Sequence, residues 1–348
     1  MISLAVVWTV AVFALLIVIH ELGHFWAAKR SGVLVYEFAV GFGPRLAGVR
    51  WGETEYSLRL LPLGGFVRMA GMQPDEEGLD QVPPARRFLQ RPLGDRARIV
   101  AAGPVMNVVL AVLLFAVVFA GIGVPSPLPV VGAVEPGYPA EAAGLRPGDR
   151  IVAVDGRDVR QWEDVVKAIQ DSAGRVITLT VRRDEQRLDI RVTPRPDPRR
   201  PGTGIIGIRP ATETVRTGVG EALRLGAQHT YQVAAGFILA LGRMLTGQGG
   251  IDVIGPVGIG QQIGEAAQMG LSQVILLAAV LSANLALVNL LPIPALDGGR
   301  LLFLTVEAVR GRPVDPEQEN LIHFLGFALL MLLAIFITFR DILRLNAS

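Results

Sequence analysis

The sequence predicts a multi-pass α-helical membrane protein with four transmembrane helices and one soluble α+β module outside the bilayer. Three observations lead there. Hydrophobic residues fill 51% of the 348 positions and charged residues only 18%, whereas a soluble protein carries about 25% charged residues. The mean hydropathy is +0.45. The apolar residues are gathered into four runs close to the length of about 20 residues that crosses a bilayer, while a stretch between the second and third runs has the turn and strand pattern of a soluble domain. The charge balance, 33 basic against 31 acidic residues with a net charge of +2, lacks the one-signed surface of a nucleic-acid binder. With no Cys there is no disulfide, thiolate metal site or Cys nucleophile. Any metal must be held by carboxylates and the four His.

The first run, Ile2–Ile19 within segment 1–28, is free of charge. A secretory signal needs a basic start and a small-residue cleavage site. No Lys or Arg precedes Lys29 here, and the run continues into His20, Glu21 and His24, so it reads as a retained span. Segment 29–98 follows, with Lys29, Arg30, Arg45, Arg50, Arg59, Arg68, Arg86, Arg87, Arg91, Arg96 and Arg98. That basic load places it on the cytoplasmic side and both termini outside. The second span is 99–124.

The external module is expected over 128–194. Strands are expected at Val130–Val134, Ile151–Val154, Ile177–Val181 and Leu188–Val192, a helix at Trp162–Asp171, and turns at Gly144–Asp149 and Asp155-Gly156. This order, with its Ala-Gly-Leu-Arg-Pro-Gly-Asp turn, resembles a bacterial PDZ domain. Such a fold takes extended peptides at a sheet edge, here expected between the Val130 strand and the Trp162 helix; a ligand-free spacer is the other reading. Residues 195–270 read as a proline-stiffened linker (Pro196, Pro198, Pro201, Pro210) and an amphipathic interfacial helix at Val233–Leu245. The third span, 271–299, ends in Asn289-Leu-Leu-Pro-Ile-Pro-Ala-Leu-Asp297-Gly-Gly, and the fourth is 321–340.

His20-Glu21-Leu22-Gly23-His24 carries the chemistry. Two His four apart lie on one face of a helix, so both imidazoles reach one metal, and the intervening Glu sits beside an open coordination position. That is the pattern of a zinc hydrolase, in which Glu21 takes a proton from the attacking water and passes it to the leaving amine. The competing reading, polar groups snorkelling from a helix end, is weakened by the cost of ionisable groups in hydrocarbon. Spans one and three run in the same direction, which brings Asp297 to the level of the His pair and makes it the candidate third ligand; a turn or capping Asp is the alternative. Pro292 and Pro294 stop the helix, and Gly298-Gly299 permit a tight turn. His323 is expected to pack at a helix end and His229 to lie outside. A non-catalytic peptide-binding adaptor and an ion transporter also remain open.

Taken together, the HELGH, the PDZ-like module and NLLPIPALDGG resemble the site-2 protease family of intramembrane zinc metalloproteases, in the branch of bacterial enzymes that cut membrane-anchored anti-sigma factors. The resemblance covers nearly the whole chain. It implies zinc held by His20, His24 and Asp297, Glu21 as base, and an inner-membrane location with the site toward the cytoplasm. The implied reaction is hydrolysis of single-span membrane proteins already shortened by another protease. Asn289 is implied to hold the substrate strand or oxyanion. Gly103-Pro-Val-Met-Asn107 looks like the family's GPxxN element, which puts Asn107 among the residues implied to act on substrate. Glu53–Met69, with alternating Tyr56, Leu58 and Leu60, looks like the family's membrane re-entrant β-loop, in which Gly64 and Gly65 would lie against substrate. Some members carry two tandem PDZ domains; this chain has room for one.

Overall fold

The computed structural model describes residues 4–72, 76, 78–197, 202–247 and 254–347. Ile2, Pro198 and Pro201 lie outside these. The chain divides into two compact units, residues 1–120 with 218–348, and residues 121–217.

In the first unit, helix α1 spans Leu4–Arg30. Its apolar run ends at Ile19, yet the helix continues through the His pair, which therefore sits inside a regular helix instead of at its end. In hydrocarbon a backbone must satisfy its own polar groups, which favours this continuation. Strands β1 (Val35–Trp51) and β2 (Thr54–Met69) follow, so the expected loop is the second half of a longer hairpin. Its turn is fastened to α1. Glu53 accepts from Lys29 Nζ at 2.5 Å and from Arg86 Nη2 at 2.7 Å, and Arg86 and Lys29 together hold its carboxyl below the usual range. The register shows β1 residues 37–40 pairing on one flank with Glu55–Leu58 and on the other with Gly65–Arg68. The Gly65–Met69 arm is left with one unpaired edge among the described residues.

Helix α2 (Leu93–Gly121) has Pro104 within it. Beyond the second unit come α5 (Val219–Leu245), α6 (Pro256–Met269), α7 (Leu271–Leu290), α8 (Asp297–Arg310) and α9 (Pro316–Ala347), the labels running in chain order with the second unit's elements. Among the described residues four helices are long and apolar enough to cross a membrane: α1, α2, α7 and the Glu317–Leu343 part of α9. Large side chains of α9 such as Phe324 (66% exposed), Leu332 (66%) and Phe336 (63%) are bare. This is a lipid face, since a soluble surface rarely tolerates so large an apolar patch.

Two cores hold the unit together. Val12, Leu16, Leu110, Ile263, Ala266, Val274 and Ala278 join α1, α2, α6 and α7. Ala28, Val35, Phe38, Val67, Met69, Ile99, Val100 and Leu304 join the hairpin to α1, α2 and α8. The expected linker 195–270 is thus corrected at α6. This helix is a core element with Ile263 and Gly264 buried, and buried Asp341 of α9 accepts the N–H of Gly258 in its first turn at 2.9 Å. The stretch from Asp297 to the expected fourth span begins as helix α8, which an ion pair between buried Arg96 and partly buried Glu307 ties to α2 (Nη1 to Oε2 3.0 Å, with a second contact between Nη2 and Oε1).

The second unit contains β3 (Val124–Val134), α3 (Pro139–Ala142), β4 (Arg150–Val154), β5 (Arg157–Asp158), α4 (Trp162–Gln170), β6 (Ile177–Arg183), β7 (Gln186–Val192), β8 (Arg195–Pro196), β9 (Gly204–Ile205) and β10 (Ile208–Val215). The main sheet runs β10-β3-β4-β6-β7 over a core of Val131, Ile151, Val165, Leu179, Val181 and Ile206. The module therefore extends past 194. Residues read as linker supply β10, which pairs with β3 from Ile208↔Val134 to Val215↔Val124. This corrects the expected peptide groove too. Around Val130, β3 is flanked by β10 on one side and β4 on the other, so its edge there is already taken. The groove of roughly 160 Å³ lies instead between α4 (Trp162, Val166, Ile169) and residues 204–208.

Asp149, fully buried, takes two bonds from Arg183 (Nε and Nη2, both 2.7 Å) and one from the Arg146 N–H (2.8 Å). Burial pushes its carboxyl up, but Arg183 and the Arg146 amide outweigh it and hold it below its usual range. Since the folded value lies below the unfolded one of about 3.9, the stabilisation is complete above about pH 4 and is lost as pH falls through the folded value. Unfolding of this module, read by Trp162 fluorescence after Trp8, Trp26 and Trp51 are changed to Phe, is expected to shift to lower temperature below about pH 4. Arg183→Gln should flatten that dependence.

Candidate metal centre

The one-face spacing of His20 and His24 on α1 points both rings at α2. There Gly103 leaves space, because a Cβ at that position would come within 3.0 Å of both His20 Nε2 and His24 Nε2. From the far side Asp297 enters at the first residue of α8. The loop 291–296 that delivers it is shaped by close approach: a Cβ on Gly298 would strike the carbonyls of Leu290 and Leu291, and one on Gly299 that of Ile293. The residue with left-handed backbone is Ala295, at φ 75°. The glycines expected to make a tight turn therefore serve helix packing. His323 of α9 accepts the Ala295 N–H at Nδ1, 2.8 Å away, and Gly326 lies against Pro294. The expected helix-end position of His323 is corrected, because α9 already begins at Pro316; His323 lies inside the helix, packed on Phe303, and steadies the loop that carries Asp297.

Three ligand atoms converge. His20 Nε2 and His24 Nε2 are 3.2 Å apart, and Asp297 Oδ2 lies 3.1 Å from the first and 3.4 Å from the second. Tetrahedral zinc with bonds of about 2.0–2.1 Å separates its ligands by about 3.3 Å, so the spacing fits that ion. Three lone-pair atoms face each other stably only with positive charge between them. Asp297 Oδ2 is also buried with no hydrogen-bond partner of its own. Among the described residues this is the only group of three or more His and carboxylates arranged to hold a metal.

A cleft of roughly 360 Å³ opens on these atoms, lined by His20, Glu21, His24, Asn289, Asp297 and Arg300, with Phe66, Val67 and Met69 from β2. Gly65 brings the strand onto Glu21, where a Cβ would lie 3.0 Å from Cγ. Gly64 sits under the Phe42 ring instead. Asn107 is fully buried and is not on the cleft wall; its amide lies behind His20, at 3.3 Å from Nδ1. The expected grouping with substrate-facing residues does not match that position.

The family model described as "Peptidase family M50" matches residues 8–333. The chain belongs to peptidase family M50. The zinc metalloprotease RasP of Geobacillus kaustophilus is 34% identical, over 96% of this chain and 96% of that protein. The regulator of sigma-W protease RasP of Bacillus subtilis is also 34% identical, over 97% of each. The PDZ domain of an SdrC-like protein from Listeria monocytogenes is 22% identical over 25% of this chain and 92% of its own, with a TM-score of 0.22. As an M50 member the chain is a zinc metalloprotease with zinc as its cofactor, and its four apolar helices make it a multi-pass membrane protein.

Ile99 and Ser282 are the neighbours of the site that sequence reasoning missed. His24 Nδ1 bonds the Ile99 carbonyl at 2.8 Å, a main-chain contact that leaves no mark on residue type. Ser282 was visible as a polar residue inside span three, and its Oγ donates to the Asn107 carbonyl at 2.8 Å.

Proposed function

We propose that this M50 peptidase hydrolyses peptide bonds within the transmembrane segments of single-span membrane proteins, with His20, His24 and Asp297 as zinc ligands and Glu21 as general base. The observation that carries the reading is the convergence of those four side chains on one cleft at the level of four apolar helices. When bound, zinc supplies Lewis acidity toward the scissile carbonyl and the attacking water. Glu21 takes the proton of that water and returns it to the departing amine. A substrate helix hides its carbonyls in internal bonds, so it must open locally before attack. The unpaired edge of Gly65–Met69 offers main-chain partners for the opened segment, and Asn289, which lines the same cleft, holds the extended strand or the oxyanion.

The hairpin is read as re-entrant, with the basic 29–98 segment and the metal centre toward the cytoplasm and both termini outside the inner membrane. The natural substrates are read as anti-sigma factors already trimmed by another protease, in keeping with the name of the sigma-W regulator to which the chain is similar. The PDZ-like module, through its groove at α4, binds a peptide or filters intact external domains. Cleavage of a model single-span segment by the full chain in micelles is expected to stop when zinc is removed by a chelator and to return with one equivalent of zinc. Cleavage that persists in metal-free protein would sink the reading.

A further inference from the structure

A histidine that offers Nε2 to a metal must carry its proton on Nδ1, and that N–H almost always has an acceptor that fixes ring and tautomer. For His24 the acceptor is the Ile99 carbonyl, 2.8 Å from Nδ1. A carbonyl cannot donate, so the Nδ1 proton is settled and the Nε2 lone pair points at His20 and Asp297. For His20 the group facing Nδ1 is the Asn107 side chain, 3.3 Å away. Ile99, Gly103 and Asn107 are spaced by four and share one stripe of α2. The outer two meet the two imidazoles from behind, while Gly103 gives way to the Nε2 atoms between them.

Asn107 is held for this task. It is fully buried, and its main-chain carbonyl is pinned to α7 by fully buried Ser282 at 2.8 Å. Its amide nitrogen is drawn toward His20 while Oδ1 has no partner. The two ends of an amide are exchanged by a half-turn about its last torsion. That turn breaks no bond made by Oδ1 and presents an acceptor to the His20 N–H. With the nitrogen in place, His20 would have to carry its proton on Nε2 and could not serve as a ligand.

We infer that Asn107 is a positioning residue of the metal centre: its amide oxygen accepts the Nδ1–H of His20 and holds the imidazole in the tautomer and orientation that present Nε2 to zinc. The inference rests on the zinc reading of His20, His24 and Asp297. It gives Asn107 no contact with substrate.

The test is zinc affinity of the full chain in micelles, measured by chelator competition and independent of cleavage. Asn107→Leu, similar in bulk but without an acceptor, is expected to weaken zinc binding by about 10- to 100-fold. Asn107→Asp, which keeps an acceptor at the same reach, is expected to bind zinc at least as tightly as the natural chain. Wild-type affinity in the Leu variant overturns the inference, and so does an Asp variant as weak as Leu, because loss of packing would then account for both. If the Leu variant does not fold, Asn107→Ala takes its place in the same comparison. His20→Ala is measured alongside. If it keeps wild-type affinity, the zinc reading itself fails; if it loses zinc while Asn107→Leu does not, only the role of Asn107 fails.

Discussion

Glu21→Gln is expected to lower cleavage of a single-span segment by about 10²- to 10⁴-fold, the usual contribution of a positioned acid–base group, while the protein still binds one zinc. Gln keeps the size and hydrogen-bonding reach of Glu but cannot take up a proton. The helix that holds His20 and His24 is unaffected, because position 21 points into the cleft and none of the three converging ligand atoms belongs to it. The strand edge at Gly65 rests against the Glu21 stem, and Gln preserves that contact as well. Metal analysis and cleavage on one preparation separate the outcomes. Full cleavage with zinc bound would remove Glu21 from the role of base. Loss of both zinc and cleavage would mean that the change disturbed the site's geometry and not its proton transfer.

The parts of this protein legible in its sequence are those whose signal is local and one-dimensional. A bilayer demands a long apolar run, and α7 begins at Leu271, where the third span was expected to begin, although it ends at Leu290, short of the expected 299, before Pro292 and Pro294. A metal pair on a helix demands four-residue spacing, which His20 and His24 display. Asp297 was reachable by a further step, because spans one and three are expected to run in the same direction. What stayed hidden depends on partners far away in the chain. Strand β1 contains Gly41, Gly43, Pro44 and Gly48 and lacks a clean alternation, so only its pairing with β2 identifies it. Strand β10 follows a proline-rich stretch and acquires its meaning from the edge of β3. Helix α6 carries Gly258, Gly260 and Gly264, which read as loop until the close approach of Gly264 to Ala5 is seen. Asn107 carries no sequence mark separating a residue behind a ligand from one facing substrate; burial alone makes the distinction.

Gly103→Ala is expected to weaken zinc binding and cleavage together, by at least about 10-fold, through one added methyl group. Position 103 lies within α2 with ordinary helical backbone, and Ala is the better helix former by about 1 kcal/mol, so local propensity would favour the change. The obstacle is wholly tertiary. The new Cβ would stand under 3.0 Å from Nε2 of both His20 and His24, the two atoms that meet Asp297 Oδ2. Side-chain tips usually yield to such a clash by rotating away. Here the rings are held from behind, His24 by the Ile99 carbonyl and His20 by the Asn107 amide, and the motion that would relieve the clash is the one that withdraws the ligand atoms. Parting α1 from α2 is resisted as well, since Gly23 of α1 lies against the main chain at Ala102. The variant is therefore expected to keep its helical far-ultraviolet signal while zinc affinity falls by at least about 10-fold, the scale seen when ligand orientation is disturbed. Wild-type zinc content and cleavage in Gly103→Ala would show that the two rings can move without losing the metal.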